Sequence, residues 1–158
     1  MKSRRMFEPH LVMRQLSLLP AGEWWPDSPG WLFAQVTSGE VCSVHPNMNQ
    51  DLPTGAVIIF ADSERGYLRA NHSDGATVHH FLVDPARLLG LITFREQQSL
   101  MKISQQATHP PRVLWPDHAI SQQFRQIYSG LIEHRVSSRI KLLEIFAESL
   151  REEMEMAI

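Results

Sequence analysis

The chain has 158 residues, of which 43% are hydrophobic and 20% are charged, and its formal net charge is −2. This composition predicts a folded globular protein with one core and excludes the polar, highly charged signature of disorder. A nucleic-acid-binding domain usually carries a clustered excess of Lys and Arg, which a near-neutral chain lacks. We therefore expect no direct nucleic-acid contact by this segment.

The cellular compartment can be predicted from three features: a signal peptide, a membrane span and a disulfide bond. Glu8, His10 and Arg14 interrupt the apolar residues near the N-terminus, which is not typical of a signal peptide. No run approaches the roughly 18 apolar residues that a membrane span requires. The single cysteine, Cys42, excludes an intrachain disulfide. The sequence therefore predicts a cytoplasmic protein with no membrane partner.

The first half of the chain has the pattern of short β-strands. Glycine-containing turns, such as those at Gly39, Gly55 and Gly75, separate its apolar runs. The predicted strands cover residues 31–36, 41–44, 56–60, 67–70 and 77–83. Regularly spaced short strands are typical of a sandwich or barrel. Residues 1–84 are therefore predicted to form a β-barrel with an N-terminal arm.

Beyond residue 84 the apolar spacing changes to three and four residues, which indicates amphipathic helices. Asp84 can cap a helix that begins at Pro85, continues through Leu88 and Ile92, and fades near Ser99. Residues 85–158 are predicted to form two or three such helices that pack on the barrel and mediate dimerisation.

A second helix is predicted after Pro116, with Asp117 as its cap. Its apolar face lies at spacings of four, three and four residues and consists of Ile120, Phe124, Ile127 and Leu131.

The most regular apolar pattern lies in the last segment, where the steps alternate between three and four residues. This seam consists of Ile140, Leu143, Ala147, Leu150 and Met154. Leu142, Ile145 and Phe146 broaden the strip, so that it can cover the barrel, meet a partner helix, or do both. We predict that the seam contributes to a homodimer.

Two stretches carry a resemblance to a known family. Residues 30–40 (GWLFAQVTSGE) resemble a strand that ends in a glycine turn, and residues 52–60 (LPTGAVIIF) resemble the cupin turn that precedes an apolar strand. Together with the order of barrel and helices, they resemble the ligand-sensing and dimerisation half of AraC-type transcription regulators. The fold class implied is mainly β plus α, a cupin-like jelly-roll barrel followed by helices.

The resemblance implies a function as well as a fold. A small-molecule effector would bind in the barrel and alter the geometry of a dimer, and the domain would not be an enzyme and would need no cofactor. Two helix-turn-helix units follow the last helix in that family, and no part of this sequence matches them. The chain is then either a segment of a longer regulator or a sensor without a DNA reader.

A metal-dependent cupin enzyme is one alternative. With Gly39 as the opening of the first cupin motif, the ligand positions hold His45, Asn47 and Asp51, and no histidine occupies the expected region after Gly55. We therefore predict no metal site, and the residues that would form one are His45, Asp51, His72, His79 and His80. A second alternative is a dimerisation module with a filled barrel.

Small-ligand sites combine apolar walls with a few polar groups. On that basis the predicted ligand-binding residues are Trp31, Phe33, Tyr67, Arg69, His80 and Trp24. Strand alternation places Trp31, Phe33 and Gln35 on one face. The sequence leaves open which face points into the barrel.

Overall fold

The computed structural model describes residues 10–26, 30–46, 48–61, 66–88, 90–106, 111–129 and 135–156. These residues contain nine strands. In chain order they are β1 (Arg14–Leu18), β2 (Glu23–Trp24), β3 (Trp31–Ser38), β4 (Val41–His45), β5 (Met48–Leu52), β6 (Val57–Phe60), β7 (Tyr67–Ala70), β8 (Ala76–Val83) and β9 (Arg112–Leu114). The five strands predicted from the sequence are confirmed.

The strands form two antiparallel sheets. The larger sheet has the order β1-β8-β3-β6-β9, and the smaller sheet has the order β2-β7-β4-β5. This arrangement, followed by helices, confirms the predicted β-rich, jelly-roll-like class. The predicted boundary at residue 84 directly follows the end of β8, but β9 lies beyond it and returns to pair with β6. The division into 1–84 and 85–158 stays a prediction.

Two apolar clusters hold the layers together. The inter-sheet core lies between the sheets and includes Leu32, Ala34, Val36, Leu68 and Val78. The helix-side core covers the other face of the larger sheet and includes Trp31, Phe33, Phe81, Phe124 and Phe146. Alternate residues of β3 enter opposite clusters because successive side chains of a strand point to opposite faces.

The first helical segment differs from its prediction. Asp84 accepts a hydrogen bond from the Ala86 N–H at 3.0 Å, as a cap should, but only one 3₁₀ turn follows, over Pro85–Arg87. The predicted continuous helix to Ser99 is wrong because Gly90 has a φ of +90°, in the left-handed region.

Helix α1 (Phe94–Gln106) begins where Thr93 and Glu96 cap each other. The Thr93 N–H donates to Glu96 Oε1 at 2.9 Å, and the Glu96 N–H donates to Thr93 Oγ1 at 3.2 Å. This reciprocal pair is a capping box.

The last two helices match their predictions more closely. Helix α2 (Ala119–Tyr128) buries Ile120, Phe124 and Ile127, whereas Leu131 lies outside the described residues. Its cap is His118, whose Nδ1 accepts a hydrogen bond from the Ile120 N–H at 3.1 Å. The predicted Asp117 cap is therefore wrong.

Helix α3 (Arg135–Met156) spans the predicted seam. It directs Leu142, Ile145 and Phe146 into the helix-side core, where they are buried. One face of the predicted strip therefore covers the larger sheet within the monomer.

We predict that Phe124→Ala lowers the free energy of unfolding by about 3–5 kcal/mol, because a buried Phe loses its packing and leaves a cavity. Phe124 is 0% exposed and its ring centroid lies 5.4 Å from that of Phe81. Urea denaturation followed by circular dichroism measures the loss. Phe94→Ala is the matched control on another helix, because Phe94 is 71% exposed. Equal effects of the two variants would contradict the described burial.

Candidate ligand-binding site

Trp24 and His80 meet between the two sheets. Trp24 pairs with Leu68 across the β2–β7 ladder, and His80 pairs with Ala34 across the β8–β3 ladder. Leu68 and Ala34 both belong to the inter-sheet core, and directly opposite residues share a face. The ring centroids of Trp24 and His80 lie 4.7 Å apart. Two of the six predicted ligand-binding residues are therefore brought together at one edge of the inter-sheet space.

Arg14 adds a positive charge beside this pair. It lies opposite His80 in the β1–β8 ladder and is exposed. Leu16, two residues further along β1, packs against the inter-sheet core, so Arg14 lies on the same face of the sheet. Arg14 is not among the residues predicted from the sequence, because no strand is predicted over β1.

The space between the sheets is mainly apolar but contains buried polar side chains. Ser43 and His45 are each 3% exposed, and they lie on the same face of β4 as the inward-facing Val41. Gln50 lies opposite Ser43 on β5. Apolar walls with a few convergent polar groups are typical of small-molecule sites.

Tyr67 and Arg69 lie on the outer face of the smaller sheet. They alternate with Leu68 and Ala70, which belong to the inter-sheet core. Tyr67 stacks on Trp25, with ring centroids 4.2 Å apart. This placement does not support the expectation that Tyr67 and Arg69 contact a ligand between the sheets, because their side chains point away from that space.

The outer face also holds a row of polar side chains across the four strands. Glu23, Arg69, Cys42 and Asp51 occupy successive register positions on β2, β7, β4 and β5. Burial raises the pKa of the Cys42 thiol, and the charge and hydrogen bond of Asp51 raise that pKa further. The thiolate is disfavoured, as expected of a structural rather than a nucleophilic cysteine.

Trp31 and Phe33 pack on the helix side of the larger sheet. Phe33 is 0% exposed and stacks on Phe81, with ring centroids 4.8 Å apart. The ring centroids of Trp31 and Phe146 lie 5.4 Å apart. The structure thus resolves the open question of direction: Trp31, Phe33 and Gln35 face the helices, and Leu32, Ala34 and Val36 face the smaller sheet.

The candidate metal ligands are dispersed. His79 points to the helix side, where its Nδ1 lies 3.0 Å from Thr37 Oγ1 and its ring stacks on Tyr128, with centroids 4.3 Å apart. His72 and Asp51 are exposed. Within the described residues, no three His, Cys, Asp or Glu side chains form a group that could hold a metal ion.

The predicted dimer seam is divided between solvent and core. Ile140 is 53% exposed and Ala147 is also exposed, whereas Leu143 and Leu150 are half-buried against the helix-side core. The side chain of Met154 lies outside the described residues. An apolar edge of α3 therefore remains open along at least two turns.

Sequence comparison finds no matching family model and no matching curated protein. Structural comparison does find similar solved structures. ToxT from Vibrio cholerae matches with a TM-score of 0.57 and 9% identity over 89% of this chain. The chain shares the fold of the matching part of ToxT, which is 54% of that protein. ToxT is an AraC-family regulator, so the expected resemblance is supported at the level of fold.

Two ligand-bound structures of ToxT are similar to the same extent. One holds an unsaturated fatty acid and matches with a TM-score of 0.59 and 10% identity over 92% of this chain. The other holds (E)-4-(8-methylnaphthalen-1-yl)but-3-enoic acid and matches with a TM-score of 0.59 and 10% identity over 90%. The chain spans about half the length of these proteins, 55% and 57%.

Among the helices of the described ranges, none combines the length and apolar character needed to cross a membrane.

We predict that the protein becomes less stable as the pH falls from 7.5 to 5.5. Burial lowers the pKa of His79, and burial together with Arg87 lowers the pKa of His10. The unfolded chain therefore takes up protons near pH 6.5 while the native imidazoles remain neutral, which favours unfolding.

Urea denaturation at both pH values measures this dependence, and His79→Gln should reduce it. His72→Gln, at an exposed turn position, is the control and should leave the dependence unchanged. A pH dependence identical in wild type and His79→Gln would contradict the assignment to His79.

Proposed function

We propose that this chain is the ligand-sensing and dimerisation domain of an AraC-type transcription regulator. A small amphipathic carboxylic acid binds between its two sheets. The observation that carries the proposal is the placement of Trp24, His80 and Arg14 at one edge of an apolar inter-sheet space. The similarity in fold to ToxT supports it.

The chemistry of this edge favours a ligand with an apolar body and one anionic end. A carboxylate is costly to bury without a partner, so it would remain at the edge, where Arg14 and His80 offer N–H donors. The apolar body would lie along Leu16, Leu68 and Val78. Trp24 would cover it with its indole ring. Both ToxT ligands named above are carboxylic acids with apolar bodies.

We predict that oleate raises the thermal unfolding temperature of the wild type and that Arg14→Gln weakens oleate binding about tenfold. A hydrogen bond to a charged group contributes about 1.5–3 kcal/mol, and 1.4 kcal/mol corresponds to tenfold. Isothermal titration calorimetry below the micellar concentration measures the affinity.

Arg69→Gln is the matched control, because Arg69 lies on the outer face of the smaller sheet. A loss of affinity in Arg69→Gln but not in Arg14→Gln would move the ligand to that outer face. No binding of oleate by the wild type would refute this ligand class and favour the dimerisation module with a filled barrel.

The proposed dimer forms through the open edge of α3. Isologous pairing of two copies would cover Ile140 and Ala147 and complete the burial of Leu143 and Leu150. Two pairs of charged residues beside this edge lie within the helix itself, Lys141 with Glu144 and Arg151 with Glu148. Each pair is neutral as a unit and adds no net charge to the apolar edge. A ligand could bias such a dimer only by binding one arrangement of the helices better than another.

We predict that the double variant Ile140→Asp with Ala147→Asp converts a dimer into a monomer. Each protomer would place two carboxylates at the interface, so that the dimer would bury four like charges. Analytical ultracentrifugation measures the change. Leu19→Asp is the control, because Leu19 is 79% exposed and lies between β1 and β2, far from α3 in the chain. A wild-type monomer, or a dimer that survives the double substitution, would refute pairing through α3.

A further inference from the structure

Gln35 is a buried polar side chain in the mainly apolar layer between the larger sheet and the helices. It lies on β3 opposite Val57 of β6 and His79 of β8, and its side chain points from the larger sheet toward the helices. It is 0% exposed. Burial of an amide is unfavourable unless its hydrogen bonds are made, so the position requires a specific reason for a glutamine.

Both N–H donors of the Gln35 amide are used, and they bind to different parts of the fold. Nε2 donates to the Gly55 carbonyl oxygen at 2.8 Å and to the Ser121 carbonyl oxygen at 2.9 Å. Both partners are main-chain acceptors, so the orientation of the amide is determined. One side chain thus connects the turn before β6 with the first turn of α2.

The turn at Gly55 is one of the connections between the two sheets. It follows β5 of the smaller sheet and precedes β6 of the larger sheet. Thr54 Oγ1 holds it by donating to the Gly39 carbonyl at 2.6 Å. An added Cβ on Gly55 would lie 2.9 Å from Cβ of Pro116 and 3.2 Å from Nη2 of Arg125. The turn therefore lies directly against α2 and the residues that precede it.

The acceptor side of the same amide is unsatisfied. Gln35 Oε1 is buried and has no hydrogen-bond partner among the described residues. A buried acceptor without a donor destabilises the arrangement that contains it. The arrangement of turn and helix therefore rests on the two hydrogen bonds that Nε2 donates.

We infer that Gln35 is a positioning residue that couples the separation of the two sheets to the position of α2. A change in separation pulls on the Gly55 turn, which is also bound to β3 through the Gly55 N–H and the Val36 carbonyl oxygen at 2.7 Å, and the Gln35 amide transmits the resulting movement to Ser121. Helix α2 packs on α3 through the helix-side core, so the movement reaches the proposed dimer helix. The inference rests on the proposed function only for its trigger, a ligand between the sheets.

The coupling itself is tested without a ligand. Thr54→Val removes the bond to Gly39 and loosens the turn without touching α2. In the wild-type background, which retains Gln35, we expect Thr54→Val to raise the hydrogen-exchange rates of α2 amides about fivefold, within the range of allosteric couplings. In a Gln35→Met background, where the amide is absent, the same change should raise them less than about twofold.

The matched control background is Gln97→Met. Gln97 is also buried, and its Nε2 donates to the Pro85 carbonyl oxygen at 3.2 Å, away from α2. There Thr54→Val should retain its full effect. Equal effects of Thr54→Val in the Gln35 and Gln35→Met backgrounds would overturn the inference. Gln35→Leu replaces Gln35→Met if the latter does not fold.

Oleate separates the inference from the proposed function. Oleate that binds Gln35→Met but changes α2 exchange only in the wild type supports both. Oleate that changes α2 exchange equally in both proteins overturns the coupling role while the ligand site stands. Failure of oleate to bind the wild type removes the proposed ligand class, and the substitution cycle still decides the role of Gln35.

Discussion

The whole arrangement depends on the burial of β3 on both faces. Residues 31–36 are six consecutive buried positions in the middle of the larger sheet. A strand with two apolar faces is stable only where each face is covered, so the smaller sheet must close one side and the helices the other. Three layers follow from this one requirement. The inter-sheet space and the open edge of α3 both take their positions from these layers.

The order of the layers separates the proposed ligand site from the proposed dimer helix. The proposed ligand lies on one side of the larger sheet, and α3 with its open edge lies on the other. A signal between them has to cross a sheet whose packed side chains do not deform continuously. Coupling through a rigid layer therefore needs a defined link at its margin, and the Gly55 turn, which joins the two sheets beside α2, lies where such a link is needed.

Much of the β-structure was predictable from the sequence because local signals agree with the tertiary arrangement. Apolar runs between glycine turns identify β3, β6 and β8. The strands that the sequence did not reveal lack such signals. β5 reads Met-Asn-Gln-Asp-Leu, a composition with poor strand propensity, and it forms because β4 pairs with it. The helix expected after Asp84 does not continue through Gly90, because the left-handed backbone conformation of Gly90 is incompatible with an α-helix.

The site was predictable only in part, because both faces of β3 are buried. Alternation in β3 grouped Trp31 with Phe33 correctly, but with both faces apolar it gave no means of deciding which face pointed between the sheets. The chemistry of Trp24 and His80 predicts that both contact a ligand, and their rings do meet between the sheets. Arg14 was missed because its neighbour on the sheet, His80, is distant in sequence and the pairing exists only in three dimensions.

Two glycines with left-handed backbones place unequal limits on how this sequence can vary. Gly55 has a φ of +96°, and Pro116 occupies the space a side chain would need. Gly90 has a φ of +90°, but an added Cβ would meet nothing within 4 Å. Asparagine and aspartate tolerate the left-handed region better than other residues. Asparagine or aspartate can therefore replace Gly90 at little cost. Position 55 accepts only glycine as long as Pro116 packs against the turn, so we expect Gly55 and Pro116 to be retained together in related sequences.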